Sequence, residues 1–160
     1  MNVLLRGALR GAAAGAAGTT ALNAVTYLDM TARARATSST PEDTVDALAK
    51  KGGLTIPGSS EQRGYRLTGL GALTGIAAGV SVGTMLGVAR AAGWRPRTTT
   101  TALAATMGAL VAGNAPMTLL GVTDPRTWAP KDWAADIAPH LAYGAVAAWT
   151  LRIEPGSPST

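Results

Sequence analysis

Glycine recurs at every fourth residue through one long uncharged segment of this 160-residue chain. The segment runs from Leu67 to Ala89, and its spaced glycines are Gly71, Gly75, Gly79, Gly83 and Gly87. In water, each interior glycine makes a helix less stable by about 0.8–1.0 kcal/mol relative to alanine. In lipid the helix is retained, because exposed backbone groups find no water to bond, and a glycine face lets a second helix approach closely. The pattern therefore predicts a tightly packed membrane helix.

The composition agrees with a membrane bundle of small residues. Charged residues make up 14% of the chain, against about 25% in a typical soluble domain. There are 20 glycines and no phenylalanine, so the apolar bulk is small and favours close helix contact. Cysteine is absent, which excludes disulfides, thiolate metal sites and a cysteine nucleophile.

Four segments have about the length needed to cross a hydrocarbon core. They cover residues 4–29, 65–91, 98–122 and 133–151. The first carries its own packing glycines, Gly7, Gly11 and Gly15, and the fourth spans only if Asp136 lies near the interface or against a partner. We predict an all-α integral membrane bundle of four transmembrane helices, a single domain over residues 1–154, with a disordered tail at 155–160.

The basic, small-residue N-terminus also resembles a secretory signal. Its apolar stretch continues through Val25, which is longer than a usual signal core, so a retained helix is favoured.

A short amphipathic helix is predicted in the first loop, at residues 41–51. Thr40 can cap it, Pro41 suits the first helical position, and the acids that follow favour the positive end of the helix dipole. Two lysines and Gly52 mark its end. Val45 and Leu48 are expected to rest on the membrane or on a partner.

The net charge of +5 does not indicate nucleic acid binding, because the basic residues flank uncharged runs instead of forming one soluble face. Arginines at the ends of apolar segments are typical of membrane proteins, and tyrosine and tryptophan also fall at the predicted ends. We therefore expect membrane lipids as surroundings, no nucleic acid, and both termini in the cytoplasm.

Five polar residues fall at a similar predicted depth or share a helix face there: Asn23, Thr74, Asn114, Asp136 and His140. Pro116 and Pro139 lie close by and each frees a backbone carbonyl. One interpretation is a solute or proton site, since histidine titrates near neutrality and broken helices can mark transporter sites. The other is that the prolines are kinks satisfied by neighbouring side chains and that the polar groups only join helices.

The chain contains no recognisable catalytic motif, neither a nucleophile elbow, a phosphate-binding loop nor an acidic metal cluster. A lone histidine cannot provide two axial haem ligands within one chain. We therefore predict a non-enzymatic protein without metal or cofactor.

Four segments are similar to those of small multi-pass membrane proteins from high-GC actinobacteria. They are Gly18-Thr19-Thr20-Ala21-Leu22-Asn23, Ser38-Ser39-Thr40-Pro41-Glu42, Gly121-Val122-Thr123-Asp124-Pro125-Arg126-Thr127-Trp128 and Pro139-His140-Leu141-Ala142-Tyr143-Gly144. These proteins are largely uncharacterised, so the resemblance implies a bacterial plasma-membrane location and transfers no activity and no catalytic residue.

Two functions are compatible with these features. The first is an accessory or scaffold subunit that packs through its glycine faces and meets another membrane protein, or a second copy of itself, through the first loop. The alternative is a small oligomeric transporter or proton-conducting protein that uses a polar layer formed by these five residues, Asn23, Thr74, Asn114, Asp136 and His140.

Overall fold

The protein is all-helical over residues 1–153, which the computed structural model describes. Its helices are α1 (Val3–Arg33), α2 (Thr40–Lys51), α3 (Ser60–Ala91), α4 (Thr98–Leu119) and α5 (Pro130–Arg152), with a short 3-10 helix at Pro125–Thr127. No strand occurs in these residues, so the predicted all-α class is confirmed. Each predicted segment coincides with one helix, with shifted ends. The tail predicted to be disordered lies outside the described residues.

Local capping explains where the helices begin. The Asn2 side chain accepts a hydrogen bond from the Leu4 N–H at 3.0 Å, and Ser59 forms a capping box with Gln62 at the start of α3. At α2 the predicted cap was wrong by one residue, because Ser39 precedes the helix and Thr40 is its first residue. The Ser39 hydroxyl donates to the Asp43 carboxylate at 2.9 Å instead of capping a backbone N–H.

The two glycine-rich helices α1 and α3 pack antiparallel through glycines that face each other. Gly7, Gly11 and Gly15 of α1 lie against Gly87, Gly83 and Gly79 of α3, and we call these six residues the glycine zipper. A Cβ atom added to Gly15 would lie 2.5 Å from the Gly79 carbonyl oxygen, whereas optimal carbon contacts are about 3.5–4.0 Å. The two backbones therefore touch, and no side chain fits between them.

The remaining glycines of the α3 stripe have other surroundings. A Cβ atom on Gly71 would lie 3.2 Å from the Pro41 Cβ atom, so Gly71 packs against α2. Gly75 faces open space, and its predicted packing role finds no partner helix in the described chain. Four residues turn a helix by about 400°, so the stripe rotates by about 40° at each step. Because of this rotation, Gly71 faces α2, Gly79 faces α1, and Gly75 points into the space between α1 and α2.

Tyr143 of α5 fills the centre of the bundle. Its side chain is completely buried, and its hydroxyl donates to the Gly79 carbonyl oxygen at 2.6 Å. A Cβ atom on Gly18 would lie 2.7 Å from the Tyr143 ring, so the absence of that atom makes room for the ring against α1. Small buried residues surround it: Ala105 and Ala109 of α4 and Ala147 of α5. Tyr143 thus joins α5 to both helices of the glycine zipper.

The first-loop helix α2 lies along the beginning of α3 and also touches α4. Its Asp46 pairs with Arg63 of α3 and with Lys50 of α2 itself, the latter at 3.0 Å. Ala49 is buried, Val45 is half-buried and Leu48 is exposed. The helix is therefore held by an ion pair and a small apolar contact. Leu48, which was expected to rest on the membrane or on a partner, is exposed in the single chain.

Acidification is expected to loosen α2. Hydrogen bonds from Arg63 and then Lys50 hold the pKa of Asp46 below its ordinary value of 3.8. A carboxyl whose pKa is lowered by folding stabilises the docked state above its ordinary pKa, and this stabilisation is lost as the pH falls through the lowered pKa. The protection factors of the α2 amides, which compare observed with intrinsic exchange, should therefore fall below pH 3.8. Asp46→Asn should show low protection factors at every pH, and a fall on acidification as large as in the wild type would contradict the role of the pair.

Two helices of the described chain, α3 and α4, are long and apolar enough to cross a membrane, by length and composition only. The other two long helices, α1 and α5, do not meet this criterion, and each carries charges, among them Arg6 and Arg10 in α1 and Asp132 and Asp136 in α5. Membrane association is thus indicated by two helices, and the predicted crossing by four is not confirmed.

Candidate functional site

Three of the five predicted polar residues meet at the interface of α4 and α5. The Asn114 amide donates to the Asp136 carboxylate at 2.9 Å. The His140 Nδ1 atom lies 2.6 Å from the Asp136 carbonyl oxygen and 3.6 Å from its carboxylate. Both side chains are mostly buried, since Asp136 is 18% exposed and His140 is 15% exposed. We call Asn114, Asp136 and His140 the polar cluster.

The two helices bring the polar cluster together because they run antiparallel in close contact. A Cβ atom on Gly144 of α5 would lie 3.0 Å from the Thr106 backbone nitrogen of α4, so these backbones nearly touch. At the cluster the spacing is wider, since a Cβ atom on Gly113 would lie 3.7 Å from the His140 Nε2 atom, which is an ordinary contact. The close approach at Gly144 sets the helix spacing that lets Asn114 reach Asp136.

Both prolines predicted to interrupt the spans lie inside the helices. Pro116 follows Asn114 by two residues in α4, and Pro139 precedes His140 in α5. Each removes one backbone donor, which frees the carbonyls of Ala112 and Ala135 from their usual intrahelical bond. Helical structure nevertheless continues past each proline. The polar cluster therefore lies where backbone acceptors of both helices are free.

The other two predicted members do not join the polar cluster. The Thr74 hydroxyl donates to the Gly71 carbonyl oxygen of its own helix at 2.8 Å. Asn23 is half-buried on α1, and its side chain makes no hydrogen bond within the described residues. Of the five polar residues expected at a similar depth, three thus form a cluster on two helices, because similar depth does not ensure that side chains point toward one another.

The polar cluster does not continue into a polar path through the part of the bundle that the structure describes. Toward the other end of the α4–α5 interface the buried hydroxyl residues are Thr106 and Thr101, and the Thr101 hydroxyl donates to the Arg97 carbonyl oxygen of its own helix at 3.3 Å. Tyr143 and the alanines around it fill the bundle centre. Within the described residues no group of three or more metal-ligating side chains occurs. The polar cluster is therefore confined to one level of the bundle.

Tyr143 was not among the residues singled out from the sequence. Its signal was present in Ala142-Tyr143-Gly144, where a single large aromatic residue sits between small ones inside an uncharged segment. A buried tyrosine needs a hydrogen-bond partner for its hydroxyl. Here the partner is the Gly79 backbone carbonyl of another helix, and no local sequence pattern reveals that pairing.

Comparison of the chain with protein-family models, with curated proteins and with solved structures finds no match.

Removal of the amide from the polar cluster should lower stability. Asn114→Ala leaves the Asp136 carboxylate without its cross-helix donor, and we expect a loss of about 0.5–1.5 kcal/mol, the usual net contribution of an intramolecular hydrogen bond. Unfolding in mixed detergent micelles measures it. Asn23→Ala is the matched control, because Asn23 is half-buried and makes no such bond. Equal losses in the two variants would contradict a structural role for the bond.

Proposed function

We propose that the protein is a non-enzymatic accessory or scaffold subunit of the bacterial plasma membrane, which it crosses four times with both termini in the cytoplasm. The observation that carries the proposal is the glycine zipper, with Tyr143 bonded across it. Backbone contact between α1 and α3, closed by α5, gives a rigid bundle with a filled centre. The bacterial location extends the resemblance to actinobacterial membrane proteins noted in the sequence.

The exposure of the apolar helices supports membrane placement. Only 22% of the apolar stretch of α3 and 17% of that of α4 is buried inside the protein, whereas the core helix of a soluble protein is mostly buried. Large apolar side chains point outward along both helices, among them Leu73 and Met85 of α3 and Leu103 and Met107 of α4. Such continuous outward apolar surface requires lipid or another protein to cover it.

The closed centre favours a structural role over conduction by a single copy. A conduit needs polar groups or water along its length, and here the middle of the bundle is occupied by Tyr143, Ala105 and Ala147, all of them fully buried. The Thr19 hydroxyl donates to the Gly15 carbonyl oxygen at 2.8 Å and the Thr101 hydroxyl to the Arg97 carbonyl oxygen at 3.3 Å, each within its own helix. These two hydroxyls are therefore already bonded and do not form a path between helices.

The first loop supports contact with a partner. It projects α2 against the start of α3 and holds it by the Asp46–Arg63 ion pair, while Leu48 remains 58% exposed on the outer face. A helix fixed in this way presents an exposed apolar residue at constant position. We place the partner contact on this face of α2.

Mass determination of the assembly extracted gently from its native membrane tests the proposal. A second protein chain in fixed stoichiometry is expected, and Leu48→Glu should release it. Leu54→Glu is the matched control, because Leu54 lies just beyond α2 and is 69% exposed. A protein that is recovered without another chain, or a partner that both variants retain, would overturn the accessory role as placed here.

A proton-conducting or transporting homo-oligomer is the second candidate, and the polar cluster is the observation that favours it. Asp136 and His140 form a titratable pair at the α4–α5 interface, with Asn114 bonded to the carboxylate. Because one copy has no polar path, several copies would have to provide it. Proton flux into vesicles that contain the purified protein should then be abolished by His140→Ala, and flux unchanged in that variant would eliminate the candidate.

A further inference from the structure

The charges of the protein are divided unequally between the two ends of the bundle. The antiparallel glycine zipper places the start of α1 beside the end of α3, since Gly7 lies against Gly87. The turn from α3 to α4 and the end of α5 lie at the same end, because α4 and α5 are antiparallel. Six arginines gather there, and we call this the arginine end: Arg6, Arg10, Arg90, Arg95, Arg97 and Arg152.

No acidic residue of the described chain accompanies these arginines. The sequence contains no Asp or Glu before Asp29, none between Glu61 and Asp124, and none from Ile137 to Ile153. All five Lys or Arg ion pairs of the described residues lie at the opposite end, and they involve Asp29, Asp46 and Asp124. The opposite end balances its bases with acids, whereas the sequence provides one acid, Glu154, for the six arginines, and that residue lies outside the described chain.

Exposed apolar residues are interleaved with these charges. Val3, Leu4, Leu5 and Leu9 are exposed on the first turns of α1, beside exposed Arg6 and Arg10. Trp94 and Trp149 are exposed at the same end, where tryptophan typically marks the boundary between lipid and water. Arginine at such a position can lay its aliphatic stem on apolar surface and extend its guanidinium to the headgroups.

We propose that the arginine end binds anionic phospholipid headgroups at the membrane surface. The positive charge complements the lipid phosphates, and the guanidinium group matches phosphate geometry with paired donors. The exposed leucines accommodate acyl chains, which an RNA or an acidic peptide does not supply. The inference rests on the membrane placement proposed above and is independent of the accessory role.

The test uses the purified full-length protein in nanodiscs of equimolar phosphatidylglycerol and phosphatidylcholine, with the retained lipids counted by native mass spectrometry. The wild type should retain phosphatidylglycerol preferentially. The triple variant Arg6→Gln, Arg10→Gln, Arg95→Gln should lose at least about tenfold of that preference, since each basic residue near an anionic surface strengthens attraction by about fivefold. Added salt should weaken the preference, as it screens exposed charges.

Two further variants distinguish this result from damage to the fold. Removal of the same charge at the opposite end, by Lys51→Gln, Arg126→Gln, Lys131→Gln, should leave the preference unchanged. Arg6→Lys, Arg10→Lys, Arg95→Lys should retain most of it, because the charge remains. A loss in the opposite-end variant equal to that in the arginine variant would overturn the inference.

Other outcomes separate this inference from the membrane placement. Equal retention of the two lipids by the wild type would overturn headgroup binding while leaving the membrane placement intact. RNA bound at the arginine end, with no preference between the lipids, would likewise overturn it in favour of a nucleic acid partner. A protein that stays soluble without detergent and retains no lipid would overturn both.

Discussion

Gly83→Leu is expected to prevent the bundle from closing. A Cβ atom at this position would lie 2.5 Å from the Gly15 Cα atom, and the obstacle is backbone, which cannot turn aside as a side chain can. Extra methylenes forced into packed cores typically cost about 1–3 kcal/mol, and an entire leucine side chain between two touching backbones should exceed that range. The better helix propensity of leucine returns less than about 1 kcal/mol. Unfolding in mixed detergent micelles, together with purification yield, measures the effect.

Gly75→Leu is the matched control for this prediction. It places the same side chain on the same helix, two helical turns away, where no other part of the described chain lies within 4 Å. We expect stability equal to or slightly above that of the wild type, because only the helix propensity changes. A similar loss in both variants would mean that the loss at Gly83 does not come from its contact with α1. A stable Gly83→Leu protein would mean that α1 and α3 are not in backbone contact.

Tyr143→Ala should have the second largest effect, a loss of about 3–5 kcal/mol. That is the usual range when a large buried aromatic side chain is truncated, since surrounding atoms fill the cavity only in part. Tyr143 is completely buried, with 0% of its surface accessible. Tyr143→Phe keeps the ring and removes only the bond to the Gly79 carbonyl oxygen, so we expect about 0.5–1.5 kcal/mol.

Tyr27→Ala provides the comparison, because Tyr27 is 60% exposed on α1. Its removal should change the stability of the folded bundle by less than about 0.5 kcal/mol, the range of surface substitutions. Denaturant titrations of the three tyrosine variants give the order of their stabilities directly. The role of Tyr143 as the link between α5 and the glycine zipper would be refuted if Tyr27→Ala and Tyr143→Ala were equally unstable.

The faces that pack were predictable, but the pairing of those faces was not. Glycine spacing selected five positions on α3, and three of them, Gly79, Gly83 and Gly87, lie against α1. Which helix each glycine meets depends on how α1 and α3 are brought together through a loop and a further helix, and no local pattern encodes that. Gly71 and Gly75 illustrate the limit, since the same spacing leads one to α2 and the other to open space.

The level of the polar residues along their helices was predictable, but the direction in which their side chains point was predictable only in part. A rise of 1.5 Å per residue was enough to place Asn114 and His140 at one level, and the four-residue spacing put Asp136 on the same face as His140. The orientation of each helix about its own axis decides which side chains meet. For Asn23 and Thr74 that rotation is set by the glycine zipper, which turns α1 and α3 toward each other.

The contacts of Tyr143 also imply an order of events during synthesis. Tyr143 and Gly79 are 64 residues apart, so at about 5–20 residues per second the ribosome adds the tyrosine roughly 3–13 seconds after the glycine. Through that interval α1 and α3 can already pair, while the slot between Gly18 and Gly79 stays vacant. Because α5 is made after α1 and α3, the later helix completes the core, and a chain interrupted before α5 would leave the slot between Gly18 and Gly79 open.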